Sequence, residues 1–350
     1  MTTPLLSIRE LVTDFSTPDG VVHAVDHVSY DVYPGETLGV VGESGSGKSV
    51  TVMAALGLIP QPPGRIVSGE IWLEDRDLLT LSDTELRQIR GKDMAMVFQD
   101  PMSSLNPVLT VGNQITEAIT THDRSISDRL ARRRTIELLE LVGVPDAAGR
   151  TSQYPHEYSG GMRQRAMIAM AIANEPKVLI ADEPTTALDV TIQAQVLKVL
   201  KTAQDETNAG TVLITHDLGV IAEMADRVVV MYGGKVVETG TVYDIFHRPS
   251  HPYTLGLLAS LPRKDRRLRK LEPIRGQPPS LINIPRGCTF HPRCRLAAGR
   301  ELCRTSEPEL LEVGQERRSA CHFHDEMPDE IARISAETGA LADQAPQEED

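Results

Sequence analysis

Apolar and polar residues alternate along the first forty residues, which is the period of a strand with one buried face. Turn-forming residues interrupt the alternation at 16–20 (Ser-Thr-Pro-Asp-Gly) and again at Pro34-Gly35. The pattern therefore predicts antiparallel strands at the start of the chain. A continuous apolar run from Thr37 to Val41 then predicts a short strand, and residues 50–58 continue as a predicted helix.

Further along the chain the apolar residues take the helical period. From about residue 105 to 143 they recur every three or four positions, most clearly between Thr135 and Val142. Two short apolar runs, Val178 to Ala181 and Val212 to Thr215, have the composition of buried parallel strands. No segment repeats, so we expect a single unit of this kind in the chain.

The character of the sequence changes after a hairpin predicted at 227–238, around Gly233-Gly234. A basic run at 263–270, a proline-rich stretch and all four cysteines follow, so we place a boundary between about 240 and 262. Residues 325–350 contain nine acidic residues and one basic residue. That composition predicts a solvated tail.

Composition excludes some classes of function. The chain has 350 residues and a net charge of −13, and this charge argues against general binding of nucleic acid, which needs a basic face. No apolar run approaches the roughly 18 residues of a membrane span. The first ten residues lack the basic start and apolar core of a signal peptide. We therefore expect the protein to stay in the cytosol.

A glycine-rich loop between the predicted strand and helix has the P-loop pattern, which binds the phosphates of a nucleotide. Its glycines let backbone N–H groups turn toward the phosphates, Lys48 adds a positive charge, and the Ser49 hydroxyl is a ligand for Mg²⁺. The predicted nucleotide-binding residues are Gly42, Glu43, Ser44, Gly45, Ser46, Gly47, Lys48 and Ser49.

Two carboxylates, Asp182 and Glu183, end the apolar run at 178–181. After a P-loop, Asp182 is placed to hold Mg²⁺, and Glu183 is placed to act as general base on the attacking water. Gln99 follows another apolar run and is a candidate contact to metal and water. His216 follows the run at 212–215 and is a candidate contact to the γ-phosphate.

A second phosphate-binding element is predicted at Ser159-Gly160-Gly161, which opens a predicted helix from Met162 to Ala173. A helix N-terminus favours an anion, and the glycines permit close approach of the backbone. Taken alone, the same residues are typical of an ordinary helix cap.

Six elements, taken in sequence order, resemble those of the nucleotide-binding subunits of ABC transporters. They are Gly42–Ser49, Gln99, 158–162, 182–183, 186–189 and His216. The resemblance implies an α/β P-loop NTPase: a RecA-like core, an N-terminal antiparallel β subdomain, an inserted helical subdomain and a small cysteine-containing C-terminal extension. The expected divisions are the ATPase domain at 5–245, its helical subdomain at about 100–165, the extension at 246–325 and an acidic, disordered tail at 326–350.

The resemblance also implies that two such subunits enclose ATP and Mg²⁺ between the P-loop of one and Ser159-Gly160-Gly161 of the other. Asp189 would then communicate across that interface. An aromatic side chain of the first sheet would stack on adenine, with Phe15 as the candidate and Tyr30 and Tyr33 as alternatives. One departure is that Tyr158 and Met162 replace the leucine and glutamine at the ends of the usual signature.

A finer resemblance joins 99–107, 251–254, 276–281 and 288–294 to the ATP-binding subunits of oligopeptide and dipeptide importers, a group that includes nickel and glutathione importers. It implies a peripheral protein on the cytoplasmic face of the cell membrane. Its partners would be two permease subunits, a second ATPase subunit (identical or paralogous) and an external solute-binding protein. The rival class is a soluble ABC ATPase outside transport.

The cysteines have the spacing Cys-x5-Cys-x8-Cys-x17-Cys, without the paired Cys-x2-Cys of structural zinc sites. Iron–sulfur ligation tolerates irregular spacing, and seven nearby arginines would offset the thiolate charge. We therefore expect an iron–sulfur cluster, with an atypical zinc site and four unliganded thiols as alternatives. The candidate ligands are Cys288, Cys294, Cys303 and Cys321.

Overall fold

The computed structural model describes residues 3–186, 188–260 and 274–338. The basic run at 263–270 and the tail beyond 338 lie outside these residues, as does Ala187 in the segment 186–189. The strands are β1 Leu6–Thr17, β2 Gly20–Val32, β3 Thr37–Val41, β4 Gly64–Leu73, β5 Arg76–Asp77, β6 Met94–Val97, β7 Val178–Asp182, β8 Gly210–Ile214, β9 Arg227–Tyr232, β10 Lys235–Thr241, β11 Leu311–Gly314 and β12 Arg317–Ser319.

Helices connect and cover these strands. They are α1 Lys48–Ala55, α2 Asp83–Ile89, α3 Pro101–Ser104, α4 Val111–His122, α5 Asp128–Leu141, α6 Ala147–Arg150, α7 Gly160–Ala171, α8 Val190–Thr207, α9 Leu218–Met224, α10 Val242–His247, α11 Pro252–Ala259, α12 Leu302–Thr305 and α13 Met327–Thr338. Within the described ranges, none is long and apolar enough to cross a bilayer.

The central sheet has the strand order β11-β12-β10-β9-β3-β8-β7-β6. Strands β6, β7, β8, β3 and β9 run parallel, and the strands beyond β9 are antiparallel. Every residue of β3, β7 and β8 is buried, as their continuous apolar runs predict. The carboxyl ends of β3, β6, β7 and β8 therefore meet at one edge of the sheet, the usual place for a ligand in such a fold.

The alternating segment at the start of the chain forms a second, antiparallel sheet of order β2-β1-β4-β5. One face carries Leu6, Ile8 and Leu11, which are fully buried, and register shifts between β1 and β2 let the ribbon bend over the core. The sequence prediction of antiparallel strands is confirmed here.

Helices α3 to α7 lie between β6 and β7, and α4 and α5 occupy the region of helical period predicted at about 105–143. Leu138 and Leu139 of α5 and Ile115 of α4 are buried in one core cluster with the middle of α7, residues 166–169. These side chains supply the apolar positions that recur every three or four residues, so the packing accounts for the predicted period.

The C-terminal extension is not a separate appendage in this fold. Strand β12 pairs with β10 through Glu238 opposite Ser319 and Thr239 opposite Arg318, so it continues the central sheet. The expectation of a disordered tail from residue 326 is wrong as far as 338, because α13 occupies this segment. Met327, Ile331 and Ile334 lie four and three residues apart and are buried on one face. The acidic residues of its first turn suit a helix N-terminus, so charge alone does not indicate disorder here.

Candidate functional site

The P-loop turns between the end of β3 and the first residue of α1, and close packing makes two of its glycines necessary. A Cβ on Gly42 would lie 2.2 Å from the Met231 carbonyl oxygen. A Cβ on Gly47, whose φ is +100°, would lie 2.4 Å from the Ala24 carbonyl oxygen. The loop is therefore wedged between β9 and β2, which holds its backbone in a fixed turn.

Lys48 lies beneath this loop and is 6% exposed. Its Nζ donates to the carbonyl oxygens of Gly42 (2.8 Å) and Glu43 (3.0 Å). Burial lowers the pKa of Lys48, and the negative charges of Glu183, Asp182 and Glu43 partly oppose that effect. The loop thus holds one ammonium donor where a phosphate would compete for it.

Asp182 ends β7 and faces the first turn of α1. The Ser49 hydroxyl donates to Asp182 Oδ1 at 3.0 Å, and Asp182 is 7% exposed. Burial raises the pKa of Asp182, whereas the Ser49 hydrogen bond and the charge of Lys48 lower it. A hydroxyl and a carboxylate side by side are hard oxygen ligands of the kind that Mg²⁺ prefers, so these residues fit that ion.

Glu183 follows Asp182 with a left-handed backbone, at φ 47°. Its N–H donates to the Ile214 carbonyl at 2.8 Å, which fixes this conformation at the end of β8. Its carboxylate accepts hydrogen bonds from Gln99 Nε2 (3.2 Å) and Thr186 Oγ1 (2.8 Å), and His216 Nδ1 lies 3.2 Å away. The fold therefore brings the candidate base together with both of the other predicted catalytic side chains.

The pKa of Glu183 lies below its ordinary value although burial alone would raise it. Hydrogen bonds from Thr186 and His216, together with the charges of His216 and Lys48, outweigh the effect of burial. The Glu183 side chain is 19% exposed, so an ionised carboxylate is accessible to a small molecule at the open edge of the sheet. Such a group is suited to accept a proton from water.

The Ser159-Gly160-Gly161 element lies at the start of α7. Ser159 caps the helix, since its hydroxyl accepts from the Met162 N–H at 3.3 Å. Ser159 and Gly160 are exposed, and a Cβ on Gly160 would have no neighbour within 4 Å. In the described part of the chain no hydrogen bond joins this element to the P-loop. The structure therefore leaves it as an open surface.

Asp189 lies close to that surface, because Ile192, whose N–H donates to Asp189, packs against Gly161. Asp189 caps α8, with its Oδ1 accepting from the Ile192 N–H at 3.0 Å. A Cβ on Gly161 would be 2.7 Å from Ile192 Cγ2, so the start of α7 packs against the first turn of α8. At the ends of the signature, Tyr158 is buried and donates to the Arg150 carbonyl, and Met162 packs on the core.

Three aromatic residues are candidates for stacking on adenine, and they differ in accessibility. Phe15 is half-buried at the end of β1, opposite Val22. Tyr30 is only 5% exposed within the core, and Tyr33 lies under the guanidinium of Arg227, 5.4 Å from the ring centre. Phe15 therefore stays the candidate that a flat ring can reach most readily.

The expectation of a metal site at the four cysteines is not supported. All of them are free thiols. Within residues 3–186, 188–260 and 274–338, no three His, Cys, Asp or Glu side chains are grouped so that they could hold a metal ion. Burial raises the pKa of every one of these thiols, to about 12 for Cys294 and Cys321. The arrangement of Cys288, Cys294, Cys303 and Cys321 in the described residues therefore does not support the expected iron–sulfur cluster or its zinc alternative.

Three residues contact the site without having been predicted as part of it. Thr186 donates to Glu183, Tyr253 accepts from the Glu43 N–H, and Arg293 pairs with the Glu43 carboxylate. Thr186 follows Glu183 by three residues, so its reach could have been inferred from a turn. The contacts of Tyr253 and Arg293 span 210 and 250 residues, and no local pattern encodes them.

Comparison with known proteins finds two families along the chain. The family described as ABC transporter matches residues 25–186. The family described as the C-terminal region of oligopeptide/dipeptide transporters matches residues 237–303. The first match includes the P-loop and the carboxylate pair, and the second includes three of the four cysteines.

Individual relatives are similar over most of the chain. It is 54% identical over 290 residues to the dipeptide transport ATP-binding protein DppD of Bacillus subtilis (strain 168), a match that covers 83% of this chain and 86% of the relative. It is 52% identical over 319 residues to the oligopeptide transport ATP-binding protein OppD of Mycobacterium tuberculosis (strain ATCC 25618 / H37Rv). That match covers 91% of this chain and 52% of the relative, so the chain spans about half the length of the mycobacterial protein.

A solved structure supports the same fold. A dimeric ATP-binding cassette in a post-hydrolysis state, bound to ADP and Pi, superposes with a TM-score of 0.61 at 26% sequence identity. The superposition covers 68% of this chain and 98% of that one.

Proposed function

The chain belongs to the family of ATP-binding subunits of oligopeptide and dipeptide ABC transporters, and from this we propose that it hydrolyses ATP to drive the import of peptides across a membrane. The observation that carries the proposal is the convergence at one edge of the sheet. There the Ser49–Asp182 pair lies beside Glu183, which is itself held by Gln99, Thr186 and His216.

Nucleotide binding follows from the P-loop. The phosphates of ATP would replace the carbonyl oxygens now bonded to Lys48, and the backbone N–H groups of residues 42–49 would surround them. Ser49 and Asp182 would hold Mg²⁺, with Gln99 close by, and the ion would neutralise charge on the phosphates. Phe15 is our candidate for the stacking contact with adenine.

Hydrolysis needs a base and an oriented water. We assign Glu183 as the base: its carboxylate takes a proton from water as the water oxygen attacks the γ-phosphorus, and the bond to the β-γ bridging oxygen breaks to give ADP and phosphate. Thr186 and His216 fix the orientation of the carboxylate, and His216, 63% exposed, is free to approach the γ-phosphate.

A second ATPase subunit would complete each site. The exposed Ser159 and Gly160 present a helix N-terminus that lies apart from the chain's own P-loop, and such an N-terminus favours an anion. We propose that this surface covers ATP bound to a partner subunit, with Asp189 nearby at the interface. The partner is a second copy or a paralogue.

Permease subunits would bind on the helical side of the site. A groove of about 810 Å³ lies there, lined in part by Phe98, Asn106, Met167 and Met170. Phe98, adjacent to Gln99, is 41% exposed. A short helix of a permease inserted here would sense movement of Gln99 as the nucleotide site closes, and it would place the protein on the cytoplasmic face of the membrane.

Replacing the base tests the ATPase mechanism. We expect Glu183→Gln to lower kcat by at least about 10²-fold, because the amide cannot accept the proton, while ATP binding is retained. The variant should then accumulate as an ATP-bound dimer in size-exclusion chromatography. Glu175→Gln is the matched control, since Glu175 also has a left-handed backbone but pairs with Arg134. Steady-state hydrolysis by Glu183→Gln at the wild-type rate would exclude Glu183 as the base.

The transported solute is a separate question, because the residues that support this proposal concern ATP and not the solute. The relatives are described as dipeptide and oligopeptide transport proteins, so we propose a peptide, with nickel or glutathione as alternatives within the group. Purification from solubilised membranes should recover two permease subunits with this chain. Recovery of the chain without any membrane subunit would favour the rival class of soluble ABC ATPases.

A further inference from the structure

An arginine of the C-terminal extension, Arg293, contacts the P-loop. Arg293 Nη1 lies 2.5 Å from Glu43 Oε2 and its Nη2 lies 3.0 Å from Glu43 Oε1, which is a bidentate ion pair. Glu43 is the second residue of the P-loop. The extension thus touches the element that binds nucleotide, across 250 residues of sequence.

Arg293 is itself firmly held. Its side chain is 6% exposed, its Nε donates to the Arg275 carbonyl at 2.9 Å, and its guanidinium lies 5.7 Å from the ring centre of Tyr232. Tyr232 and Tyr253 pack against Phe290, with ring centres 5.1 and 5.4 Å from it. These contacts hold the Arg293 side chain in place independently of Glu43, which favours a positioning role.

Tyr253 adds a second contact to the same P-loop residue. The Glu43 N–H donates to the Tyr253 hydroxyl oxygen at 2.8 Å. The backbone and the carboxylate of Glu43 are thus both held by residues that follow the expected ATPase domain, 5–245, in sequence. A rotation of Glu43 toward the interior of the loop would break both contacts.

The charge of Glu43 makes this arrangement important for ATP. A carboxylate in a P-loop repels the phosphates of the nucleotide and attracts the ammonium that should bind them. Glu43 is close to that ammonium, because its carbonyl oxygen already accepts from Lys48 Nζ at 3.0 Å. If the carboxylate lost its arginine, Lys48 would be the nearest cation of the loop.

We propose that Arg293 is a positioning residue for ATP binding: it neutralises the Glu43 carboxylate and holds it against the extension, and so keeps Lys48 available to the phosphates. This inference rests on the proposed ATPase function. It assigns to the extension a direct effect on nucleotide affinity, in addition to any contact with membrane partners.

The test is a rescue experiment on the full-length chain, with equilibrium binding of a fluorescent ATP analogue as the readout. Arg293→Gln should weaken binding about tenfold, which corresponds to about 1.4 kcal/mol for the uncompensated charge. The double variant Arg293→Gln/Glu43→Gln should restore binding to near the wild-type level, because the charge that competes for Lys48 is gone. Damage to packing alone would not be rescued in this way.

Arg300→Gln is the matched control. Arg300, in the extension, forms the same bidentate geometry with Glu326, at 2.8 and 2.6 Å, and its replacement should leave nucleotide binding unchanged. Unchanged binding by Arg293→Gln, or a double variant as weak as the single one, would overturn the inference alone. Failure of the wild-type chain to bind the analogue would overturn the proposed function and the inference together.

Discussion

Residues that can act in catalysis or bind a metal are concentrated in two regions of this molecule, and the two regions differ in how the fold arranges these side chains. At the edge of the central sheet, polar side chains that follow different strands converge on one carboxylate, Glu183, from Gln99 on one side and His216 on the other. In the extension, four cysteines within 34 residues of sequence do not form a metal-binding group in the described structure. Parallel strands force their carboxyl ends together, whereas neighbours along an irregular segment have no such constraint. Proximity in sequence therefore predicts a site less well than the position of residues on strands.

The largest expected effect tests the convergence at the sheet edge. Asp182→Asn should lower kcat by about 10²–10³-fold, as loss of a single preorganised polar group does in other active sites, because the amide is a weaker ligand for Mg²⁺. ATP hydrolysis measured against Mg²⁺ concentration checks this, and the variant should need more Mg²⁺ for half-maximal rate. Asp205→Asn is the control, since Asp205 is an exposed partner of Lys201 on α8. A wild-type Mg²⁺ dependence in Asp182→Asn would remove Asp182 from the site.

A smaller effect, on stability, tests whether the extension together with α13 belongs to the core. Ile331 of α13 is 4% exposed within the main hydrophobic cluster, so Ile331→Ala should cost about 2–5 kcal/mol of unfolding free energy. Because β12 continues the ATPase sheet, denaturation of the variant should remain a single transition with a lower midpoint. The control is Leu302→Ala, a residue of the extension that is 46% exposed and should change stability by less than about 0.5 kcal/mol. Two separate transitions would mean that the extension unfolds alone.

The smallest expected effect is on the pH dependence of kcat, and it distinguishes Glu183 from the neighbouring carboxylate Asp182. Thr186 donates to Glu183, and this hydrogen bond helps hold the pKa of Glu183 low. Thr186→Val removes a donor that favours the ionised form, so the pKa of Glu183 should rise and the base should be protonated at higher pH. The acid limb of kcat should then move to higher pH. Thr186→Ser keeps the hydroxyl and should leave the limb in place. An unmoved limb in Thr186→Val would assign it to another group, such as Asp182, whose pKa burial raises.

The parts of the fold that follow local rules were predictable from the sequence. The buried runs became β3, β7 and β8, and the helical period between 105 and 143 became α4 and α5. Helix α13 was missed because nine acidic residues drew the prediction toward a tail, although Met327, Ile331 and Ile334 already had the spacing of one helix face.

The contacts of the site divide in the same way. Asp182, Glu183 and His216 could be predicted because each follows an apolar strand, and strand ends of a parallel sheet share an edge. The Arg293–Glu43 pair could not be predicted, because its partners are 250 residues apart. No hydrophobic periodicity around either residue indicates which way its side chain points. The iron–sulfur prediction relied on residue type and nearby charge, and the described residues show no grouping of side chains that supports it.

The pairing of β12 with β10 also sets the order in which the protein can be completed during synthesis. Strand β10 has β9 on one side from the moment both have left the ribosome, but its other side stays unpaired until residues 317–319 emerge. Some seventy-five residues of translation separate the two strands, and an open strand edge is a template for association with other chains. Nascent chains that stop near residue 245 should therefore depend on chaperones or aggregate, even though every residue predicted to contact nucleotide has already been made.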